Sequence, residues 1–147
     1  MSSPPAGGAE GRRGHRSLPH TADLRLQAWA PSREECVTEA VRALVAAFAD
    51  VTGRAPQRTA LAEIHASTDE DALLSALEET IFLLDTDGAV PVSVRAEPTA
   101  SGLRLHLGLV PLADVEIIGP APKAVTMHRL RLGHDRAGWS CEATVDI

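Results

Sequence analysis

The chain has 147 residues, the size of one domain, and is long enough to bury an apolar core without disulfides or metal ions. Its formal net charge of −6 argues against broad binding to a phosphate backbone, which needs clustered Lys and Arg. Aromatic residues make up only 3% of the chain, so stacking platforms for single-stranded nucleic acid are nearly missing and we expect no direct nucleic-acid binding.

Residues 1–18 are rich in Gly, Pro, Ser and Arg and predict a disordered leader before a single domain at 19–147. This segment lacks the apolar stretch of a secretory signal, and no part of the chain approaches the roughly 20 apolar residues that span a membrane. Cys36 and Cys141 have no metal-ligand spacing and are interpreted as free, buried thiols. We therefore expect a cytoplasmic protein.

Alternation in "HTADLRLQAWA" predicts a half-buried first strand with Leu24 and Leu26 on its apolar face and Asp23 on its polar face. Ser32 and Glu35 then form the pattern of a capping box, and an apolar stripe predicts a helix after them. A second helix is predicted after the strand "TALAEIHAS". Its capping box is Ser67 with Glu70, and it ends before the turn "DTDG", where Gly88 takes a positive φ.

The remaining sequence alternates strongly and predicts four strands. Thr99 to Gly102 is the expected turn of one hairpin, and "GHDRAG" is the expected loop of another. The element order is β-α-β-α-β-β-β-β. This order predicts an α+β fold in which two amphipathic helices pack on a mixed or antiparallel sheet.

Two carboxylates are the sharpest candidates for chemistry. Asp23 begins the first strand and Asp146 ends the last one, and each lies on the polar face of its alternating strand. If the two strands are antiparallel neighbours, these carboxylates meet at one sheet edge, and the α-carboxylate of Ile147 adds a third anionic group. Clustered carboxylates repel each other, and their hard oxygen atoms favour calcium, magnesium or manganese over zinc. The alternative is that they are solvated strand ends.

Other candidates are weaker. The chain has no G-x-S-x-G, H-E-x-x-H, Walker A or G-x-G-x-x-G motif, so neither a nucleophilic enzyme nor a phosphate loop is indicated. Asp85 and Asp87 in "DTDG" are interpreted as turn formers rather than ligands. His20 and His128 are candidate supporting donors, with a structural histidine as the alternative for each. Lys123 is interpreted as a solvated strand position.

Three segments together resemble the archease family: "HTADLRLQAWA", "LLSALEETIFLLDTDG" and "PKAVTMHRLRL" with the closing "GWSCEATVDI". The likeness runs from about His20 to Ile147. It implies a non-catalytic partner that assists an RtcB-type RNA ligase in tRNA splicing or RNA repair. Such a partner promotes the GTP- and metal-dependent guanylylation of the ligase and its multiple turnover, so GTP acts through the ligase.

The resemblance also implies a metal site built from Asp23, Asp146 and Ile147, with calcium as the expected cation and magnesium or manganese as alternatives. Lys123 and His128 match family-typical positions and are candidate supporting residues of this site. Met127 departs from the family pattern, since an aromatic residue often stands there. Two other functions stay open: a small divalent-metal-dependent phosphoesterase that uses the same carboxylates, and a plain protein-binding module.

Overall fold

The computed structural model describes residues 12–19 and 23–147, and it confirms the α+β fold. Two helices pack against antiparallel sheets, and three strands are present that the alternation did not predict. The elements are β1 Gly14–Pro19, β2 Asp23–Ala30, α1 Arg33–Ala46, β3 Ala49–Asp50, β4 Arg58–His65, α2 Asp69–Asp87, β5 Ala89–Thr99, β6 Gly102–Pro111, a 3₁₀ turn Leu112–Asp114, β7 Glu116–Ile117, β8 Ala124–Asp135 and β9 Gly138–Asp146.

The strands pair in three antiparallel sheets, so the antiparallel alternative is the correct one. The four-stranded sheet has the order β1-β2-β9-β8, the three-stranded sheet has the order β4-β6-β5, and β3 pairs with β7. Helix α1 packs against β2 on one side and β5 on the other. Helix α2 packs against β8 as well as β4 and β5. The helices therefore connect the two larger sheets.

The predicted leader is wrong in its last part, because residues 14–18 belong to β1. This strand pairs with β2 from Gly14 opposite Trp29. Gly14 is needed there, since a Cβ at this position would lie 2.6 Å from the Trp29 ring. The Arg16 guanidinium lies 4.9 Å from the centre of the same ring. Residues 1–11 of the predicted leader lie outside the described residues.

The first capping prediction is confirmed, and the second is wrong by one residue. The Ser32 hydroxyl accepts a hydrogen bond from the Glu35 amide at 3.1 Å and begins α1. Helix α2 is capped by Thr68, whose hydroxyl accepts from the Asp71 amide at 3.0 Å. Ser67 and Thr68 are both suitable caps with an acid three residues later, so the pattern allowed either start.

The predicted end of α2 is also wrong. The helix continues through the first three residues of "DTDG" as far as Asp87, and Gly88 then closes it with a φ of 58°. Gly88 therefore has the predicted positive φ, as a helix cap rather than inside a separate turn. The turn between β5 and β6 lies where it was predicted, whereas the "GHDRAG" loop is shorter, because β8 runs to Asp135 and β9 begins at Gly138.

The core is aliphatic, as the composition requires. The alternating leucines of β6 all face the helices and are at most 2% exposed: Leu103, Leu105, Leu107 and Leu109. Helix α1 adds a second buried layer with Val37, Val41 and Leu44. Within the described residues no helix is both long enough and apolar enough to cross a membrane.

The two cysteines are free and buried, as predicted, but they are close together. Cys36 of α1 lies over the cross-strand pair that Ala28 of β2 forms with Cys141 of β9. The pKa of the Cys36 thiol is raised, because the thiol hydrogen-bonds that of Cys141 and is buried. The Cys36 sulfur is therefore not present as a reactive thiolate.

A buried acid fastens β1 to α1. The Glu39 side chain is only 6% exposed, and its carboxylate receives Arg13 Nε at 3.0 Å, His15 Nδ1 at 2.8 Å and Arg42 Nη1 at 2.8 Å. Burial on its own would raise the pKa of Glu39. The hydrogen bond from His15 and the charge of Arg42 outweigh burial, so the pKa is lowered from its ordinary value of 4.5.

We expect Glu39→Gln to lower the free energy of unfolding by about 1–3 kcal/mol at neutral pH, because it removes the charge that pairs with Arg13 and Arg42. Since the folded-state pKa is the lower one, the stabilisation is complete above 4.5 and is lost as the pH falls through the folded-state value. Urea unfolding of both proteins at neutral and acid pH measures this, and their stabilities should converge in acid. A difference in unfolding free energy that stays constant at every pH would contradict the role of the charge. Glu116→Gln, which changes an exposed acid, is the control.

Candidate functional site

Asp23 and Asp146 are direct cross-strand partners. Asp23 is the first residue of β2 and Asp146 is the last residue of β9, and the antiparallel register places them opposite each other. The two strands are antiparallel neighbours, which is the condition under which the sequence predicted that these carboxylates meet. We refer to this pair as the aspartate edge.

The period-2 alternation of β9 explains why Asp146 leaves the core. Val145 is 0% exposed and packs in the main core, whereas the next residue, Asp146, is exposed. On β2, Leu24 packs against the same core and is opposite Val145. Because successive side chains point to opposite faces of a sheet, burying these two apolar residues turns both aspartates to the other face.

Strand β8 holds the end of β9 from the other side. Ala124 is the register partner of Asp146, and the Lys123 amide donates a hydrogen bond of 2.7 Å to the Asp146 carbonyl oxygen. The backbone of Asp146 is therefore fixed between two neighbouring strands. Lys123, a predicted supporting residue, lies beside the aspartate edge, and Ile147 follows it as a half-buried residue.

His128 lies in an irregular part of β8. The register between β8 and β9 breaks between Thr126 and Arg131, and Arg129 within the break has a positive φ of 59°. The exposed His128 accepts a 3.4 Å hydrogen bond from Arg129 Nε, and its amide donates to the Thr126 hydroxyl at 3.1 Å. No hydrogen bond joins it to either aspartate in the described structure. His20, the other predicted histidine, lies outside the described residues.

The next acid along the outer face of the sheet is neutralised, and sequence reasoning missed this pair. Arg25 donates from Nε and Nη2 to one Glu142 oxygen at 3.1 and 2.7 Å, and Gln27 donates to the other at 3.5 Å. Burial would raise the pKa of Glu142, but the hydrogen bonds from Arg25 and Gln27 outweigh it and lower that pKa. Arg25 and Glu142 both lie on the polar faces that the sequence predicts, but only the register between β2 and β9 brings them together.

Asp146 differs from Glu142 in this respect. Asp146 forms no ion pair with any described residue, and Asp23 stands directly opposite it. Like charges directly opposite each other in an antiparallel pair are destabilising. A cation at this edge would remove that repulsion.

The chain is similar to known proteins over nearly all of its length. Residues 15–147 match the Archease protein family (MTH1598/TM1083). The chain belongs to the archease family. The resemblance seen in the sequence is therefore confirmed, and the family match begins within β1.

Relatives in bacteria and archaea agree with this assignment. A probable archease of Mycobacterium tuberculosis is 40% identical over 134 residues, which cover 91% of this chain and 75% of that protein. An archease of Archaeoglobus fulgidus is 30% identical over 139 residues, which cover 90% of this chain and 98% of that protein.

Solved structures show the same fold at lower identity. The solution structure of Methanobacterium thermoautotrophicum protein 1598 matches with a TM-score of 0.73 and 21% identity, over 91% of this chain and 99% of that one. The crystal structure of a Thermotoga maritima archease, described as a possible chaperone, matches with a TM-score of 0.63 and 20% identity, over 88% and 94% of the two chains.

The chemistry of the aspartate edge fits a hard divalent cation. Directly opposed residues in an antiparallel pair have Cβ atoms about 4.5–5.5 Å apart, so two carboxylates can reach an ion that needs oxygen atoms at about 2.3–2.6 Å. No group of three or more His, Cys, Asp or Glu side chains that could hold a metal ion is found in the described residues. A site at this archease edge therefore needs further oxygen donors besides the two aspartates.

Asp85 and Asp87 do not form the expected turn, because both lie in the last turn of α2. Asp87 faces Arg58, with 3.5 Å between Oδ2 and Nη2. Asp85 lines a groove together with Lys123, so it lies on the same side of the molecule as the start of β8.

We expect Asp146→Asn to raise the free energy of unfolding by about 0.2–1 kcal/mol in the absence of divalent cations, because it removes the repulsion across the edge. Calcium should raise the unfolding midpoint of the unmodified protein through binding to the folded state, and it should not do so for the variant. Thermal unfolding with calcium or with a chelator measures both effects. Glu116→Gln loses one exposed charge elsewhere and should respond to calcium as the unmodified protein does. If Asp146→Asn also responds in this way, Asp146 is not a calcium ligand.

Proposed function

We propose that this archease is a non-catalytic activator and chaperone of an RtcB-type RNA ligase. It promotes the GTP- and divalent-metal-dependent guanylylation of the ligase and its multiple turnover in tRNA splicing or RNA repair. GTP acts through the ligase. The proposal is supported by membership of the archease family and by one observation above all, the direct cross-strand pairing of Asp23 with Asp146.

The proposed cation ligands are the carboxylates of Asp23 and Asp146 and the main-chain carboxylate of Ile147, with calcium as the first choice and magnesium or manganese as alternatives. The cation would supply positive charge at the surface that meets the nucleotide site of the ligase. Strand pairing on both sides of β9 holds Asp146 in place without a contribution from the cation. Lys123 supplies the amide that fixes the Asp146 carbonyl group.

A non-catalytic role agrees with the chemistry of the described side chains. Both cysteines are buried thiols, and His15 and His106 are each engaged by a glutamate, at 2.8 and 2.7 Å. Neither pair lies at the aspartate edge, so these histidines supply no base to the metal ligands of the phosphoesterase alternative. Two buried free thiols are also typical of a protein from a reducing compartment, and we propose a cytoplasmic location on this ground.

The proposal predicts that this protein increases the number of RNA joining events per ligase molecule when the ligase is limiting. Asp146→Asn should lower the stimulation at least about tenfold, the size of effect that follows when an important contact is lost, while the fold is kept. Ligated RNA is counted over time at several GTP and metal concentrations. Glu116→Gln, an exposed acid on β7, should stimulate normally. If the unmodified protein fails to stimulate under every condition, the activator function is wrong.

A second prediction concerns Ile147. A short extension after Ile147 replaces its carboxylate with an amide, so it should weaken both calcium binding and stimulation of the ligase. The same extension placed before Met1 should have no effect, because it leaves the aspartate edge unchanged. Calcium titration and ligase turnover with the two tagged proteins measure this difference. Equal behaviour of both would remove Ile147 from the ligand set.

A further inference from the structure

Helix α2 carries an acidic surface without any positive charge of its own. All of its charged residues are acids: Asp69, Glu70, Asp71, Glu78, Glu79, Asp85 and Asp87. Arg33 binds Asp69, and Arg58 faces Asp87. Glu78 and Asp85 are exposed and make no ion pair or hydrogen bond with any residue of the described structure. In the second half of the helix, Glu78 and Asp85 are therefore the acids that lack an ion-pair partner among the described residues and are also exposed.

The position of these acids is unfavourable for the helix itself. The C-terminal end of a helix carries a partial negative charge, so acids there destabilise it and bases stabilise it. The last turn of α2 contains Asp85 and Asp87 and no basic residue. Asp85 consequently does not stabilise α2 through the helix dipole, so its presence is not explained by the stability of this helix.

An exposed aromatic residue stands among these acids. Phe82 is 58% exposed, and it lies four residues after Glu78 and three before Asp85, which places all three on one helical face. Ile81 and Val125 lie beside it. A groove of about 220 Å³ is formed here between α2 and the start of β8; we call it the α2 groove, and it is lined by Glu78, Ile81, Phe82, Asp85, Lys123 and Val125.

We infer that the α2 groove is the docking surface for a basic segment of the ligase, in which an apolar side chain packs on Phe82 and Lys or Arg side chains meet Glu78 and Asp85. This inference rests on the proposed function. The acids favour a cationic protein segment and repel polyanions, so RNA and anionic lipid surfaces are disfavoured as occupants.

The α2 groove adjoins the candidate cation site. Lys123 is one of the residues that line the groove, and its amide donates a hydrogen bond to the carbonyl oxygen of Asp146. A segment seated in the groove therefore lies next to the aspartate edge. Docking there would bring that edge to the part of the ligase nearest the bound segment.

The experiment compares the affinity of the purified ligase for four variants of the full-length protein. Phe82→Ala removes the apolar contact, and the double variant Glu78→Gln/Asp85→Asn removes the charge. Leu61→Ala is the matched control for exposed apolar surface, because Leu61 is 64% exposed on β4. Glu116→Gln is the control for loss of one exposed acid. Thermal unfolding with and without calcium checks that each variant is folded and that its response to calcium is unchanged.

We expect Phe82→Ala to weaken binding at least about tenfold, since aromatic anchors carry a large share of interface affinity. The double charge variant should bind more weakly at low salt, and its affinity should depend less on salt than that of the unmodified protein. Both controls should bind normally. If both groove variants bind as tightly as the controls, the docking surface is wrong while the activator function stands. If the unmodified protein forms no complex with the ligase, both are wrong.

Discussion

The antiparallel pairing of β2 with β9 sets the register of the four-stranded sheet and the position of both aspartates. It joins the first strand after residue 22 to the last strand of the chain, so it closes the four-stranded sheet across the whole sequence. Apolar pairs such as Leu26 with Ala143 fix its register, because they are buried beneath α1. A slip of one residue would turn Val145 to solvent and Asp146 to the core. Core packing therefore decides where the aspartates lie.

The central position of β9 brings the candidate functional features to one end of the molecule. With β2 on one side and β8 on the other, the final residues of β9 are held by two neighbours. The start of β8 also packs next to α2, so Lys123 contributes to both the aspartate edge and the α2 groove. A cation at the edge and a protein in the groove would thus act on adjacent surfaces.

The acids behind the net charge of −6 fall into two groups, those bound by cationic partners and those without such partners. Glu39 and Glu142 are shielded from solvent and bound by cationic partners, and both have lowered pKa values. Asp146, Glu78 and Asp85 have no ion-pair partners in the described part of the chain. Neutralised acids therefore hold the fold together, as Glu39 does for β1 and α1. Asp146, Glu78 and Asp85 lie near the end of β9, where the proposed cation and ligase would bind.

Local pattern in the sequence determined the faces of the strands, the cap at Ser32, the aliphatic core and the polar parity of Asp23 and Asp146, because these follow from short-range periodicity. The family resemblance added the assignment that the comparisons confirm. Tertiary structure alone decided three things: that β1 is ordered by Glu39 and Trp29, that the two cysteines meet, and that Arg25 neutralises Glu142. Each depends on contacts between residues far apart in the chain, whose register no local pattern encodes. The pairing of Asp23 with Asp146 depends on both local pattern and tertiary structure. The alternation of each strand determined the face on which its aspartate lies, and the pairing of β2 with β9 placed the two residues opposite each other.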